Sequence, residues 1–467
     1  MRQLSGVDAT FLHMENARTT GHVNGVVVLD PSTASGPINA DTIREYIAAR
    51  IHLLDPLRWR LVEVPLGIDR PYWIDDPELD LDFHVRGTAL PSPGTALQLA
   101  DQVARIAARP LDRSRPLWEV YVIEGLEGGR VAVLSKLHHA AIDGKAGMQI
   151  MATLMSTDPD TPPPPPPTQP NTGERVPTPL EMWNRGWMGL MARPEQGLRF
   201  MVDVAKESRE LARKIGFSDP LQSLKKLMPP SGVPRLSFNA TLSAHRNWAF
   251  GTVALSDVKM IKDAQGCTLN DVVMAMCAGA LRRWLIDHDE LPGKPLQALV
   301  PVSIRTAEAA ASAGNQVSGM VAPLPTHLDT PEERLKAAHE AMLAAKEKHA
   351  ALPAQLLQDF SQFAAPAAAQ LVAQTAANLR WADRIAPPFN VVISNVPGPR
   401  EPLYYAGALV EANYPVSIVS DGIGLNITLQ SYRDSIDFGI VCTPEVMPDI
   451  WNLVGYLREE LALLLEV

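Results

Sequence analysis

Residues 162–167 are six consecutive prolines. Each proline holds φ near about −65° and lacks a backbone N–H, so the run can enter neither a helix nor the middle of a sheet and extends as a stiff spacer. The stretch from Ser156 to Pro179 therefore reads as a tether. A second breaker, Pro229-Pro230-Ser231-Gly232-Val233-Pro234, follows the helically patterned segment from Leu180 to Met228. These breakers divide the chain into an N-terminal unit (1–155), a proline-rich and helical connector (156–235) and a C-terminal unit (236–467). The length of 467 residues agrees, because single cores stop growing at roughly 250–300 residues.

Both units mix the two secondary-structure periods. In the first, Val23 to Leu29 is a short apolar run of strand type, and Asp41 to His52 places Ile43, Ile47 and Ile51 one helical turn apart. Leu97 to Arg109 and Gly144 to Met155 have helical spacing, while Trp118 to Glu124 and Arg130 to Leu137 read as strands joined by a glycine-rich turn. In the second unit, strands are expected over Asn247 to Leu255, Leu296 to Ile304, Phe389 to Ser394, Leu425 to Tyr432 and Ile436 to Cys442. Helices are expected over Thr268 to Ile286, Pro331 to His349, Gln355 to Trp381 and Pro448 to Leu465. Each unit is thus mixed α/β, a sheet with helices packed on it.

The formal net charge of −10 argues against nucleic acid as a partner, since displacing counterions needs a basic face. The three cysteines, Cys267, Cys277 and Cys442, form no CxxC pair, so neither a zinc site nor a disulfide framework is expected, and a reducing cytoplasm fits. The first residues, MRQLSGVDATFLHMEN, lack the pattern of a signal peptide, and no run of eighteen apolar residues occurs. Contact with a membrane would then be peripheral. The connector carries the residues suited to it, Trp183, Trp187 and Met191 on one helical face, although the same face would serve equally for packing on the body.

The segment most informative about chemistry is Leu137-His138-His139-Ala140-Ala141-Ile142-Asp143-Gly144. Val131, Val133 and Leu137 mark a buried strand before it, and Met148, Ile150, Met151 and Leu154 a helix after it. It therefore occupies a strand-to-helix loop, where a rigid scaffold holds functional groups. Adjacent side chains at a strand end point to opposite sides, so one of the two histidines faces a given cavity. A neutral imidazole accepts a proton from an alcohol near pH 7. Asp143 is placed to cap the following helix, and Gly144 permits a tight turn. A metal site would need a third ligand at a recognisable spacing, and none is seen.

The histidine segment resembles the HHxxxDG motif of bacterial wax ester synthase/acyl-CoA:diacylglycerol acyltransferases, and the resemblance runs over nearly the whole chain. Leu4 to Leu12 is similar to the family's start, Pro116-Leu117-Trp118 to its PLW element and Asn270-Asp271 to its ND element. Pro301-Val302-Ser303-Ile304-Arg305, Gly314-Asn315-Gln316 and Ser394-Asn395-Val396-Pro397-Gly398-Pro399 follow in the family's order. The resemblance implies two chloramphenicol-acetyltransferase-like subdomains with a tunnel at their interface. It also implies that His139 is the general base, that His138 supports it, and that Asp143 pairs with an arginine, for which Arg305 at a strand end is the candidate.

The activity implied is transfer of a long-chain acyl group from acyl-CoA to diacylglycerol, forming triacylglycerol, or to a long-chain alcohol, forming a wax ester. Acyl-CoA is then substrate, and no cofactor or metal is required. The location implied is cytoplasmic, with peripheral contact to the inner membrane or lipid inclusions. Nothing in the sequence decides the oligomeric state. No GxSxG elbow appears, so direct transfer is expected rather than an acyl-enzyme. The rival readings are a condensation-type acyltransferase using a carrier-bound thioester and a non-catalytic lipid-binding paralogue.

Several motif residues have plain structural readings beside the functional one. Thr268 and Asp271 fit a capping box, which gives Asp271 a structural role and leaves Asn270 as a tunnel-lining candidate. Pro116, Leu117 and Trp118 are expected to pack behind the histidine strand. Asn395, Pro397 and Gly398 either shape a coenzyme A entrance or form an ordinary tight turn.

Overall fold

A computed structural model describes residues 1–142, 144–168, 173–191, 232–303, 317–350, 377–384 and 386–467. In chain order its main elements are β1 (Arg2–Gln3), α1 (Gly6–Met14), β2 (His22–Asp30), α2 (Ala40–Ala48), β3 (Trp59–Val62), β4 (Tyr72–Asp75) and β5 (Val85–Ala89). Next come α3 (Ala96–Ala107), β6 (Trp118–Glu124), β7 (Val131–His138), α4 (Gly144–Leu154) and α5 (Pro179–Met191). The second half holds β8 (Asn247–Ala254), α6 (Leu255–Gln265), α7 (Leu269–Asp287), β9 (Leu296–Ser303), β10 (Val317–Leu324) and α8 (Pro331–Ala350). It ends with β11 (Val391–Val396), β12 (Tyr404–Tyr405), β13 (Ala408–Val416), β14 (Asn426–Tyr432), β15 (Ser435–Cys442) and α9 (Ile450–Leu465). The expected helix from Gln355 to Trp381 falls largely outside the described residues, as does the connector beyond Met191.

Among the described residues the strands form two six-stranded sheets and a small three-stranded one. The first large sheet runs β12-β13-β2-β7-β6-β5, antiparallel except for the β5–β6 pair. The second runs β10-β9-β11-β14-β15-β8, with β11 parallel to both neighbours. The small sheet is β1-β4-β3.

The segment 236–467 contributes strands to both large sheets. Strands β12 and β13 come from that segment yet complete the first sheet, with β13 lying antiparallel to β2. The second sheet grips this strand through side chains. Trp248 Nε1 donates to Pro415 O (3.1 Å), Tyr432 OH to Val410 O (2.9 Å), and Asp437 Oδ2 accepts from Asn413 N (2.8 Å). Pro415 has no N–H for a ladder, and its carbonyl is used by the other sheet instead.

Local signals explain the remaining elements. Helix α3 opens on a complete capping box, with Thr95 as N-cap and Gln98 reaching back. Its buried face, including Leu99, Val103 and Ile106, joins Val26, Leu134, Trp248, Val416 and Val441 in a core shared by the two large sheets. Each fully buried aliphatic chain there contributes about 1.5–3 kcal/mol relative to exposure. Helix α7 is buried nearly all round and packs so closely on α9 that a Cβ at Gly279 would sit 1.9 Å from the Glu460 carboxyl carbon. Helix α5 buries Met182 against Val62, Val64, Tyr72 and Ile74, and leaves Leu180, Trp187 and Met188 exposed.

Candidate active site

The two histidines sit where strands β2 and β7 meet their loops, with His22 paired in register to His138. Backbone bonds hold the end of β7 from both sides: His138 N donates to Leu117 O (3.0 Å) and His139 N to Gly21 O (2.9 Å). The chain then turns at once, Ala141 N donating to His138 O (3.0 Å). Behind the strand, Trp118 is buried, donates Nε1–H to Leu57 O (2.7 Å) and stacks on His84 with centroids 4.3 Å apart. Pro116 bridges to Arg60 on β3. The PLW residues are therefore the backing of this strand end.

The neighbouring histidines have unlike surroundings. His138 is 1% exposed. Its Nδ1 accepts a hydrogen bond from Ala140 N (3.0 Å), so in the neutral ring the proton resides on Nε2. That Nε2 lies 3.2 Å from Glu15 Oε1 in a bent contact. His139 is only half-buried, and its ring stacks on Phe11 with centroids 4.1 Å apart and planes 10° from parallel. One histidine thus faces inward to a carboxylate, and the other lies flat against an aromatic ring.

Glu15, at the C-terminal end of α1, ties this arrangement together. Its Oε1 accepts from Gly21 N (2.8 Å), and its Oε2 accepts from Arg113 Nη2 (2.7 Å) and Nε (3.2 Å). Arg113 also donates to Leu12 O (2.7 Å). Burial by itself would raise the Glu15 carboxyl, but His138, the Gly21 N–H and Arg113 outweigh it and hold the pKa at about 2. Gly21 must be small, because a Cβ there would lie 2.7 Å from His138 Nε2 and 2.9 Å from Phe11 O.

Below the strand end the C-terminus of α3 is held by buried donors. His22 Nε2 donates to Ala107 O (2.9 Å), and the fully buried Lys136 Nζ donates to Arg109 O (2.6 Å) and pairs with Glu119 Oε2 (3.3 Å). Cationic groups suit a helix C-terminus. Burial, reinforced by the Lys136 charge, drives the His22 pKa down to about 3, so this ring is neutral. Burial likewise lowers the Lys136 pKa.

The other motif residues gather within the second half of the chain. Asn395 Nδ2 donates to Asn270 Oδ1 (2.7 Å), joining β11 to the start of α7. Asp271 is buried and completes the capping box with Thr268, while its Oδ2 also accepts from His339 Nδ1 (2.8 Å). Gly398 packs against β14: its N–H donates to Ser431 Oγ (3.0 Å), and a Cβ would meet Ser431 O at 2.0 Å. Pro397 leads into this close approach. Gly144 opens α4 directly after the histidine loop. Asp143 and Arg305 both lie outside the described residues, and with them the Asp143–Arg305 pair.

Sequence reasoning missed Phe11, Glu15, Gly21 and Arg113. The opening segment Leu4 to Leu12 carried the signal for Phe11, since it stood out as a motif element without a role. Among the described residues no three His, Cys, Asp or Glu converge as metal ligands, and no helix is long and apolar enough to cross a membrane.

The comparisons with known proteins agree with one another. The family model of the wax ester synthase/diacylglycerol acyltransferase catalytic domain matches residues 4–273, and that of the family's C-terminal domain matches residues 313–465. A Mycobacterium tuberculosis protein named as a diacylglycerol O-acyltransferase is 38% identical over 462 residues, covering 98% of either chain. Another from that organism, with a name of the same kind, is 35% identical over 455 residues, covering 97% of this chain and 96% of its own. The solved wax ester synthase/diacylglycerol acyltransferase from Marinobacter aquaeolei superposes with a TM-score of 0.69 at 31% identity, over 99% of this chain and 98% of that one. The first condensation domain of the calcium-dependent antibiotic synthetase superposes with a TM-score of 0.56 at 15% identity, over 100% of this chain and 97% of that one, a likeness of fold alone.

Proposed function

The chain belongs to the wax ester synthase/diacylglycerol acyltransferase family, and from that premise we propose that His139 is the base that drives its acyl transfer. The protein is an acyl-CoA-dependent O-acyltransferase, with acyl-CoA as donor substrate and diacylglycerol or a long-chain alcohol as acceptor. The observation that carries the residue assignment is the division of labour between the histidines. His138 is buried, its Nδ1 accepting from Ala140 N and its Nε2 facing the Glu15 carboxylate, whereas His139 is half-buried at the loop.

In this reading the His139 ring removes the proton from the acceptor hydroxyl as the oxygen attacks the thioester carbonyl. The tetrahedral oxyanion collapses, the coenzyme A thiolate leaves, and the proton held by His139 passes to it. General base catalysis of this kind contributes typically ~10²–10⁴-fold. Transfer is direct, and no cofactor takes part. The three cysteines are buried, and burial raises the thiols of Cys277 and Cys442 to about 12, which unsuits them as nucleophiles. Asp143 orders the loop from the start of α4, with Arg305 as its partner. Asn395, Pro397 and Gly398 border the coenzyme A entrance to a tunnel between the two large sheets, and Asn270 lines it.

Lipid acceptors reach the enzyme from a membrane or lipid-inclusion surface. The face that supports this is made by Leu66, Leu180, Trp187 and Met188, all exposed, beside a cavity of about 450 Å³ lined in part by Leu12, Val64, Leu66 and Met182.

The test is coenzyme A release from palmitoyl-CoA, with dioleoylglycerol or hexadecanol offered in parallel, for wild type and His139→Ala. Acceptor-dependent release with ester formation, lost in the variant, is the expected result. Undiminished turnover in folded His139→Ala would remove the base assignment.

A further inference from the structure

Two peptide N–H groups hold the backbone of the turn at His139, its own and that of Ala140. The first donates to Gly21 O and the second to His138 Nδ1. Both acceptors lead to one atom. Gly21 N donates to Glu15 Oε1 (2.8 Å), and His138 Nε2 faces the same Oε1 at 3.2 Å. The other carboxylate oxygen is anchored by two nitrogens of Arg113, itself tied to the backbone of α1 at Leu12 O. The same helix supplies the Phe11 ring that stacks on His139. A single partly buried carboxylate thus closes both arms of a clamp around the half-exposed histidine.

The chemistry of the clamp depends on charge as well as shape. A carboxylate only accepts hydrogen bonds, and both groups facing Oε1 are donors when His138 carries its proton on Nε2. In the other tautomer Nδ1–H would confront Ala140 N–H, and a bare Nε2 would confront the carboxylate. Both contacts would then be repulsive. A carboxylate beside a histidine sets the tautomer in this way wherever the ring must be held in one orientation.

We propose that Glu15 is the positioning residue of the histidine pair: its carboxylate, anchored by Arg113, selects the Nε2–H tautomer of His138 and so holds the His139–Ala140 turn in place. Glu15 acts through His138 and Gly21 and touches no substrate. The proposal rests on the reading of His139 as the base.

The experiment compares wild type with Glu15→Gln, Glu15→Asp and Arg113→Gln. One readout is ¹⁵N NMR of protein labelled at histidine, with the His138 ring signals assigned by their loss in His138→Gln. Wild type shows a protonated Nε2 and a bare Nδ1. Glu15→Gln, which offers Arg113 and His138 an amide in place of a charge, shows averaged tautomers. The second readout is steady-state kinetics: kcat falls about 10²-fold, as for a group displaced by ~1 Å, while KM for palmitoyl-CoA stays within about threefold. Glu15→Asp restores the charge and recovers part of kcat. Arg113→Gln leaves the carboxylate but frees it, and gives an intermediate loss, which keeps the test decisive should Glu15→Gln fail to fold. A folded Glu15→Gln with an unchanged His138 tautomer, or a folded Glu15→Gln or Arg113→Gln with wild-type kcat, overturns the proposal. The tautomer needs no turnover to be read, so failure of the base assignment, seen in His139→Ala, is told apart from failure of this one.

Discussion

Replacing Gly21 by alanine adds one methyl group at the most crowded point of the histidine loop. That Cβ would stand 2.7 Å from His138 Nε2, 2.9 Å from His138 Cε1 and 2.9 Å from Phe11 O. Ordinary contacts between such atoms lie at about 3.5–4.0 Å, so the ring must retreat by roughly 0.8 Å or α1 must move outward. Neither is free to do so: His138 is buried between Ala140 N and Glu15, and Phe11 O belongs to backbone. Overpacking of this kind costs about 1–3 kcal/mol, offset by about 0.4–1 kcal/mol from the stiffer unfolded chain. The net loss is about 1–2 kcal/mol, seen as a fall of about 1–2 °C in the unfolding midpoint of a chain this long. Displacing His138 by that distance also moves the peptide after His139, and turnover of palmitoyl-CoA should fall about 10²-fold. Gly25→Ala in the same strand is the control, since its nearest new contact would be Asn413 Oδ1 at 3.7 Å. The assays are a thermal melt and coenzyme A release on both variants. A Gly21→Ala protein with wild-type midpoint and turnover would refute the claim that the clamp is tight and that it governs His139.

Two other perturbations probe the support of the site. His22 has a folded pKa of about 3 against an ordinary value of 6.5, so below 6.5 the unfolded chain binds more protons, and stability declines as pH falls toward 3. Urea unfolding should show a contribution of about 2 kcal/mol lost between pH 6.5 and pH 5, and His22→Gln should flatten that part of the profile; an unchanged slope would contradict the buried neutral ring. Trp118→Phe removes the donor to the buried Leu57 carbonyl and part of the stack on His84, so denaturant titration should register a loss of about 1–3 kcal/mol, with retained stability counting against the backing role.

The relation between sequence and structure differs from element to element. Strand β6 covers Trp118–Glu124, as its run of valine, isoleucine and aromatic residues requires, and α7 begins after Thr268 because the capping box is a local device that works in almost any context. Strand β13 escaped the same reading for a local reason as well. A bulge between Val410 and Ala412 reverses the inward–outward alternation, and Pro415 interrupts what remains of the pattern. Its place in the first sheet is non-local and has no periodic signature.

The sequence by itself determined the proline tether, the mixed α/β composition of both halves, and the strand–loop–helix that presents His138 and His139, because each follows from backbone rules acting over a few residues. Tertiary structure alone decided which histidine turns inward. That choice depends on Glu15 and Arg113, brought to the loop by the packing of α1 against the ends of β2 and β7. It likewise decided that Asn270 and Asn395 meet and that β13 closes a sheet begun by β2. Contacts between distant segments form only when burial of a common core outweighs the entropy of closing the intervening chain, and residue spacing carries no trace of that balance.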